Sequence, residues 1–196
     1  GEETKTATVA EGATTATVTL STGDVVTITP DTTATVTHVS DSAEEKNKFT
    51  WSVQHETFYT KGEDSYGDLE ITPVVVTLTS GTATKEYDCT ALTNEDVENK
   101  NANGLTVETG WIGDEGATYS FGGSRIEVGG SGLKENVFTK TAKTGTDFND
   151  YTFTETYGDL IVTTSTKELK VESADGSWPY DGTAHTKYEY TVTYGE

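Results

Sequence analysis

The stretch SYGDLEIT, which runs from Ser65 to Thr72, returns 91 positions later as TYGDLIVT, from Thr156 to Thr163. Two shorter phrases return in the same order: NKFT at 47–50 as NVFT at 136–139, and YDCTA at 87–91 as YDGTA at 180–184. Three matches with nearly constant spacing indicate an internal repeat, in which each copy is one structural unit. We therefore predict a tandem array of modules of about 90 residues each.

The repeated phrases divide the chain into three parts. We expect residues 1–73 to form an incomplete first β module, residues 74–164 a complete module, and residues 165–196 the opening strands of a further module. On this interpretation the chain begins and ends within modules of a longer array. An opening segment without the rest of its sheet leaves strand edges unpaired. We therefore expect residues 165–196 to exchange strands with a neighbouring copy, or to pack on the second module.

The composition favours β-strands throughout. Threonine accounts for 41 of the 196 residues, and it alternates with apolar residues in segments such as Thr15–Leu20 and Tyr188–Tyr194. β-Branched residues suit a pleated surface, and an alternation of period two is typical of half-buried strands. Further strands are predicted near 24–29, 33–39, 48–54, 68–79, 105–110, 117–121, 124–128, 137–141, 151–156, 159–164 and 167–173.

Only two segments have a helical signature. Ser42–Glu45 fits a capping box, and Thr93–Lys100 could form one or two helical turns. Many short strands with regular turn signals, in modules near this size, predict an all-β fold of tandem Ig-like β-sandwich modules. A β-grasp-like module, with Thr93–Lys100 as its helix, is the alternative.

The segment from Lys170 to Thr186, which contains YDGTAHT at 180–186, resembles the opening of MBG-type modules. The segment Tyr157–Thr163 resembles the strand that closes such a module. These bacterial Ig-like repeats occur in adhesin-like surface proteins of Gram-positive bacteria. The resemblance implies an extracellular, cell-surface location, either wall-attached or secreted, and an adhesion or spacer role without catalytic residues. Cys89 departs from the pattern, because Gly182 is its counterpart in the sister phrase.

The chain is strongly acidic, with 33 Asp and Glu residues against 13 Lys and Arg residues and a formal net charge of −20. Nucleic acids are bound largely through Lys and Arg contacts to phosphate, so a nucleic-acid partner is excluded. Anionic membrane surfaces are disfavoured for the same reason. No apolar run reaches the roughly 20 residues of a membrane span, and we predict no membrane insertion by this segment.

No metal, cofactor or catalytic group is predicted. Cys89 is the single cysteine, so it cannot form an intrachain disulfide, and the three histidines lie in different segments. Zinc sites need clustered His or Cys ligands. The acidic turn Asn94–Asp96, with Glu98, is the densest candidate for calcium, which prefers oxygen ligands. An exposed acidic turn without an ion is the simpler interpretation.

Three aromatic residues are candidate ligand contacts: Trp51, Trp178 and Tyr180. The repeat pairs Trp51 with Lys140, and it pairs Trp178 with Lys85. A position that accepts lysine is seldom fully buried, so both tryptophans should be half-exposed. Exposed aromatic rings can stack on sugar rings; the alternative is an edge aromatic that covers the core or a joint between modules.

Taken together, these patterns predict a non-catalytic stalk or spacer, whose partners are the neighbouring modules of the same array. The alternative is an adhesion module that binds a host glycan or host protein through its exposed aromatic residues. Catalysis is not expected.

Overall fold

A computed structural model describes residues 2–195, and within these residues the chain is all-β, which confirms the predicted class. Residues 2–195 contain sixteen strands. They are β1 Ala16–Thr19, β2 Val25–Pro30, β3 Ala43–Asn47, β4 Phe49–Val53, β5 Gly67–Leu69, β6 Val74–Thr79, β7 Ala83–Glu86, β8 Leu92–Thr93, β9 Val107–Thr109, β10 Ala117–Phe121, β11 Ser124–Arg125, β12 Phe138–Ala142, β13 Tyr151–Thr156, β14 Leu160–Thr163, β15 Leu169–Ser173 and β16 Tyr190–Tyr194. Short 3-10 turns occur at Val39–Asp41, Glu56–Phe58, Asn94–Asp96 and Phe148–Asp150.

The strands form small sheets in two compact units. Unit 1 extends to Val75 and also includes Asp147–Thr152, whereas unit 2 comprises Val76–Thr146 and the chain from Phe153 onward. Each sheet has two or three strands, in the orders β1-β2-β4, β3-β5, β13-β6-β9, β10-β12, β11-β8, β14-β7 and β15-β16. No helix among residues 2–195 is long and apolar enough to cross a bilayer.

Unit 2 has a well-buried core. Val76, Leu78, Leu105 and Leu160 are fully buried, and Leu160 belongs to a cluster of apolar side chains from β7, β8, β14 and Val97. Strand β14 pairs with β7 in parallel, with Leu160 opposite Ala83 and Thr163 opposite Glu86. Alternation of Leu160 and Val162 with less buried neighbours places the apolar side of β14 against this core.

The repeated sequences form the same strand pairs in the two units. In unit 1, β2 pairs with β4 antiparallel, and Phe49 lies opposite Pro30. In unit 2, β10 pairs with β12 antiparallel, and Phe138 lies opposite Phe121. Phe138 repeats Phe49, so β10 is the counterpart of β2 in the same register. A shift of one residue would have moved every side chain to the other face of the sheet.

The Tyr-Gly-Asp-Leu phrases also make the same contacts. The rings of Phe49 and Tyr66 meet edge-to-face at 5.3 Å and 61°, and those of Phe138 and Tyr157 at 5.2 Å and 62°. The asparagine at the start of each NxFT phrase pairs with the glycine of the following phrase, Asn47 with Gly67 and Asn136 with Gly158. Edge-to-face packing is a favourable geometry for aromatic rings.

The aspartate of each phrase binds a strained turn. Glu45 and Lys134 have positive φ angles of 50° and 55°, a backbone conformation unusual for residues other than glycine. The Glu45 N–H donates to Asp68 Oδ1, and the Lys134 N–H donates to Asp159 Oδ1, both at 2.9 Å. The two phrases therefore occupy equivalent structural positions, down to a backbone outlier that no sequence pattern indicated.

The two copies differ in burial. Leu160, Phe138 and Ala117 are buried in unit 2, whereas their counterparts Leu69, Phe49 and Val26 are only half-buried in unit 1. The buried apolar residues of unit 1 are Ala16 and Val53 within residues 2–75, and Tyr151 in its second segment. Unit 1 thus shares the β2–β4 pairing with the β10–β12 pair of unit 2 around a less complete core.

Two local predictions, for residues 33–39 and for Ser42–Glu45, were wrong. Residues 33–39 form no strand. The Asp31 carboxylate accepts the Thr33 N–H and the Asp41 carboxylate accepts the Thr37 N–H, so these backbone groups are not available to a neighbouring strand. Ser42–Glu45 leads into strand β3 and forms no helix, since Glu45 has a positive φ. Thr93–Lys100 contains one 3-10 turn, Asn94–Asp96, in agreement with the one or two helical turns predicted there, but the part of the chain that the structure describes has no α-helix to serve a β-grasp-like module.

Candidate functional site

One turn is built three times along the chain, from an aspartate and a threonine two positions later. Asp88 Oδ1 accepts from the Thr90 N–H at 2.9 Å and from its hydroxyl at 2.7 Å. Asp181 and Thr183 make the same two bonds at 2.9 and 2.7 Å, and Asp31 and Thr33 at 2.9 and 2.6 Å. Asp side chains often fix turns in this way. The threonine hydrogen bonds lower the pKa of Asp31 and Asp181, and a hydrogen bond from Lys85, together with those from Thr90, lowers the pKa of Asp88.

The middle residue of this turn has a left-handed backbone conformation in both YDxT phrases. Cys89 has a φ of 67°, and Gly182, its counterpart, has a φ of 73°. The Cys89 backbone is therefore strained, because a left-handed conformation brings Cβ too close to the following carbonyl oxygen. Cys89 is an exposed free thiol.

Replacing Cys89 by glycine is expected to raise the free energy of unfolding of unit 2 by about 1 kcal/mol, because glycine adopts positive φ without this steric cost. Urea unfolding of Cys89→Gly under reducing conditions measures the change. The matched control is Gly182→Cys, which should not stabilise the chain. A Cys89→Gly variant less stable than the parent would contradict the argument.

A cleft lies beside this turn within unit 2. Its volume is about 630 Å³, and it is lined by Lys85, Glu86, Tyr87, Asp88, Cys89, Ser165, Lys167 and Tyr194. The Lys85 ammonium is occupied, since it donates to Asp88 Oδ1 at 2.9 Å and to the Thr90 hydroxyl at 2.6 Å. A hydrogen bond with the Cys89 side chain raises the pKa of Tyr87. The charged groups beside the cleft are thus partly paired with one another.

Trp51 lies half-buried on β4 in unit 1, in agreement with the lysine at its repeat position. Its indole N–H donates to Asp64 Oδ1 at 2.6 Å, and the Lys61 ammonium lies 4.4 Å from its ring centroid. In unit 2 the counterparts of Trp51 and Asp64 are Lys140 and Glu155, which form an ion pair in place of this hydrogen bond. One ring face of Trp51 is therefore occupied by a cation.

Trp178 and Tyr180 lie in the loop between β15 and β16. Trp178 is 44% exposed and stacks on His185, with ring centroids 5.0 Å apart and an angle of 6° between the planes. The His185 ring is hydrogen-bonded to Asp181 Oδ1 at 2.9 Å, so the Asp-x-Thr turn positions the stack. Tyr180 is 98% exposed. This loop brings together two of the three predicted contact aromatics, and Trp51 belongs to the other unit.

One cluster in unit 1 was not visible in the sequence. His38 Nδ1 lies 2.6 Å from Asp150 Oδ2, and Asp150 Oδ1 accepts from the Val39 N–H at 2.7 Å. Asp147 completes a set of three groups, with ligand atoms within 4.8 Å of one another, that could hold a metal ion. The cluster joins residues more than 100 positions apart, so no local spacing could have indicated it. The ion pair anchors Asp147–Thr152 to unit 1.

The stability that the His38–Asp150 ion pair contributes should depend on pH. The hydrogen bond to Asp150 raises the pKa of His38 above its ordinary value of 6.5, and the same bond lowers the pKa of Asp150. The His38 contribution is fully present below pH 6.5 and is lost as the pH rises through the folded pKa. The Asp150 contribution is present above its unfolded pKa and is lost as the pH falls through its lowered folded value.

We expect an NMR titration of the His38 imidazole to give a pKa above 6.5 in the parent, and Asp150→Asn to return it towards that value. Asp147→Asn is the matched control. It removes a charge near His38 but no hydrogen bond to the ring, so it should lower the pKa less. Identical titration curves for the parent and Asp150→Asn would contradict the ion pair.

The acidic turn considered for calcium has a structural role. Asn94 is buried and donates to the Gly104 carbonyl at 3.1 Å. Asp96 Oδ2 accepts from the Thr93 N–H at 2.8 Å, which completes a capping box with Thr93 as its first residue. The polar side chains of this turn therefore satisfy backbone groups.

Comparison with known proteins gives no match: no family model, no curated protein and no solved structure matches this chain. The resemblance to MBG-type modules therefore stays a prediction from the sequence. Among the described residues, the aromatic loop of Trp178 and Tyr180 and the β15–β16 hairpin that carries it are exposed.

Proposed function

We propose that this chain is a non-catalytic segment of an extracellular repeat protein, which acts as a stalk or spacer in an adhesin-like protein of the Gram-positive cell surface. Within such a protein its modules are Ig-like, of the MBG type, and its partners are the neighbouring modules of the array. The observation that supports this proposal most directly is the structural equivalence of the two Tyr-Gly-Asp-Leu phrases. Serial repetition of one β unit is typical of proteins that span distance.

Charge supports the same proposal. A formal charge of −20 keeps neighbouring chains apart in solution and favours extension of an array over collapse. The turn aspartates and Lys85 are engaged in structural contacts, since Asp88 accepts the Thr90 N–H and Lys85 is paired with Asp88.

Solution scattering tests the stalk. At low protein concentration we expect a pair-distance distribution with the long tail of an extended particle. The long tail should persist at raised salt if the folded modules themselves keep the particle extended. A particle that is extended only by charge repulsion would contract when salt screens the charges. A symmetric distribution from a nearly spherical particle would contradict the proposal.

A second function is supported by the aromatic loop. Tyr180 and Trp178 present exposed rings beside a polar turn, an arrangement suited to stacking on sugar rings or to a host-protein contact. The test is binding of the parent to an array of mucin-type glycans, followed by Trp178→Ala and Tyr180→Ala. Tyr87→Ala, at the position equivalent to Tyr180, is the matched control. Unchanged glycan binding by the two loop variants would exclude this role for the loop.

A further inference from the structure

Two 3-10 turns of unit 1 lie against each other, and each has ionisable side chains at its ends. Val39–Asp41 follows His38, and Phe148–Asp150 follows Asp147. A 3-10 helix has three residues per turn, so residues three positions apart lie on the same side of it. Asp147 and Asp150 are therefore placed side by side on one turn, and His38 approaches them from the other turn.

Hydrogen bonds fix the two carboxylates of this cluster. Asp150 Oδ1 accepts the Val39 N–H at 2.7 Å, and Asp150 Oδ2 lies 2.6 Å from His38 Nδ1. Asp147 Oδ1 accepts the N–H and the side-chain amide of Asn149 at 2.9 and 2.8 Å. A carboxylate oxygen has two lone pairs, so an oxygen that accepts one hydrogen bond can still bind a cation. The side chains are thus held in position before an ion binds.

The spacing of the three groups suits a single metal ion. His38, Asp147 and Asp150 each offer one ligand atom, and these atoms lie within 4.8 Å of one another. Ligand atoms of a tetrahedral zinc ion lie about 2.0–2.1 Å from it and therefore about 3.4 Å from one another. The set would need to close by at most about 1.4 Å to reach this geometry. The His38 side chain is 46% exposed, so an ion can enter from solvent and the ring can turn to meet it.

Negative charge is concentrated around the imidazole. The hydrogen bond to Asp150 raises the pKa of His38, and the charges of Asp41 and Asp147 add to this effect. The hydrogen bond from His38 lowers the pKa of Asp150, whereas the negative charge of Asp41 opposes that shift. The Asp41 carboxylate accepts two backbone N–H groups, and Lys46 offsets part of its charge. The carboxylates of Asp147 and Asp150 are thus the pair whose charge a divalent cation would neutralise.

The donor atoms select the class of ion. Ca²⁺ and Mg²⁺ take oxygen ligands, whereas an imidazole nitrogen suits zinc and its first-row neighbours. Zinc binds histidine nitrogen and carboxylate oxygen, and it often has three protein ligands with water in the fourth position. One imidazole and two carboxylates therefore favour Zn²⁺ over Ca²⁺.

We propose that His38, Asp147 and Asp150 bind one Zn²⁺ ion, with water completing its coordination. The ion takes the place of the proton between His38 Nδ1 and Asp150 Oδ2, and that proton is released to solvent, because a nitrogen that binds metal must be unprotonated. Zinc then stabilises unit 1, since an ion that binds only the folded state favours that state. This site is independent of the stalk function and of the aromatic loop.

A zinc titration of the metal-stripped chain, followed by NMR of the histidine side chains, tests the site. One equivalent of Zn²⁺ is added in excess Ca²⁺, which fills sites made of carboxylates alone, and it should shift the imidazole signals of His38 but not those of His55 or His185. The last two are internal controls. Both are hydrogen-bonded to an aspartate, Asp24 and Asp181, at 2.6 and 2.9 Å, but among residues 2–195 neither belongs to a set of three metal-binding groups.

Calorimetric titration of variants with zinc separates the metal site from the ion pair. Asp147→Asn removes the charge of the third ligand but keeps the His38–Asp150 bond, and asparagine caps a helical turn as well as aspartate does. Zinc affinity should fall about tenfold or more in Asp147→Asn and in His38→Gln, since even residues that only support a ligand are worth about 10–100-fold. Asp175→Asn removes the same charge at an exposed position and should bind zinc like the parent.

Dependence on Asp147 decides whether the three residues act as one site. A shift confined to His38, with an affinity that falls in Asp147→Asn, supports the proposal. No shift of His38, or a shift of His55 or His185 at least as large, overturns it, since zinc would then bind carboxylates or any exposed imidazole. Affinity that is lost in His38→Gln but unchanged in Asp147→Asn overturns it too, because a single histidine would then account for the binding.

Discussion

Replacing Leu160 by alanine is expected to lower the free energy of unfolding of unit 2 by about 3–4 kcal/mol, the usual cost of removing a fully buried leucine and leaving a cavity. Leu160 is 0% exposed and packs with Leu92, Val97 and Val162. Hydrogen exchange of the backbone amides in β7 and β14 measures the stability of unit 2. The protection of both strands should fall together in this variant.

The repeat supplies a matched control for this substitution. Leu69 is the counterpart of Leu160 and is only half-buried, so Leu69→Ala should cost about 1 kcal/mol or less. Equal losses at the two positions would show that unit 1 has a complete core, contrary to the burial described above. The difference between the two variants therefore measures how far the two copies diverge in packing.

The second large effect is expected at Asn136. This side chain is 0% exposed, and its amide donates to the Gly81 carbonyl and to Asn94 Oδ1, both at 2.8 Å. Asn136→Ala leaves two buried acceptors without their donor and opens a small cavity. We expect a loss of about 2–4 kcal/mol in the free energy of unfolding of unit 2, measured by urea unfolding.

Asn47 is the control for Asn136, because it occupies the equivalent place in the repeat but is exposed. Asn47→Ala should change stability by about 0.5 kcal/mol or less. A small effect at Asn136 would indicate that water replaces the lost amide group at this site. Asn94→Ala should lower the free energy of unfolding less in the Asn136→Ala background than in the parent chain, since the two side chains share one hydrogen bond.

Patterns within a few residues predicted the strands well. The alternation of threonine with apolar residues placed β1, β10, β13 and β16 to within about two residues, because a side-chain period of two is a local property of the backbone. The repeat predicted that Trp51 and Trp178 are partly exposed, from the lysines at their counterparts. It also marked Cys89 as a departure from the glycine at position 182, and both residues have a positive φ in the structure.

Contacts between distant residues could not be predicted in this way. The Asp150 carboxylate accepts the Val39 N–H and pairs with His38 only because the fold brings them together. The Ser42–Glu45 segment has helical propensity, but Asp68 binds the Glu45 N–H and the segment enters a strand. Tertiary contacts outweigh such local preferences, which are worth only a few tenths of a kcal/mol per residue.

The parallel pairing of β7 with β14 has a mechanical consequence. These strands lie near the start and the end of the repeat, and in a parallel pair the chain enters at one end of the ladder and leaves at the other. Tension applied to both sides of the unit would therefore act along the two strands in opposite directions. Their hydrogen bonds would be loaded in shear and would have to break together, instead of opening one after another as in a zipper. A tether built from such units should resist a sudden pull and yield in discrete steps.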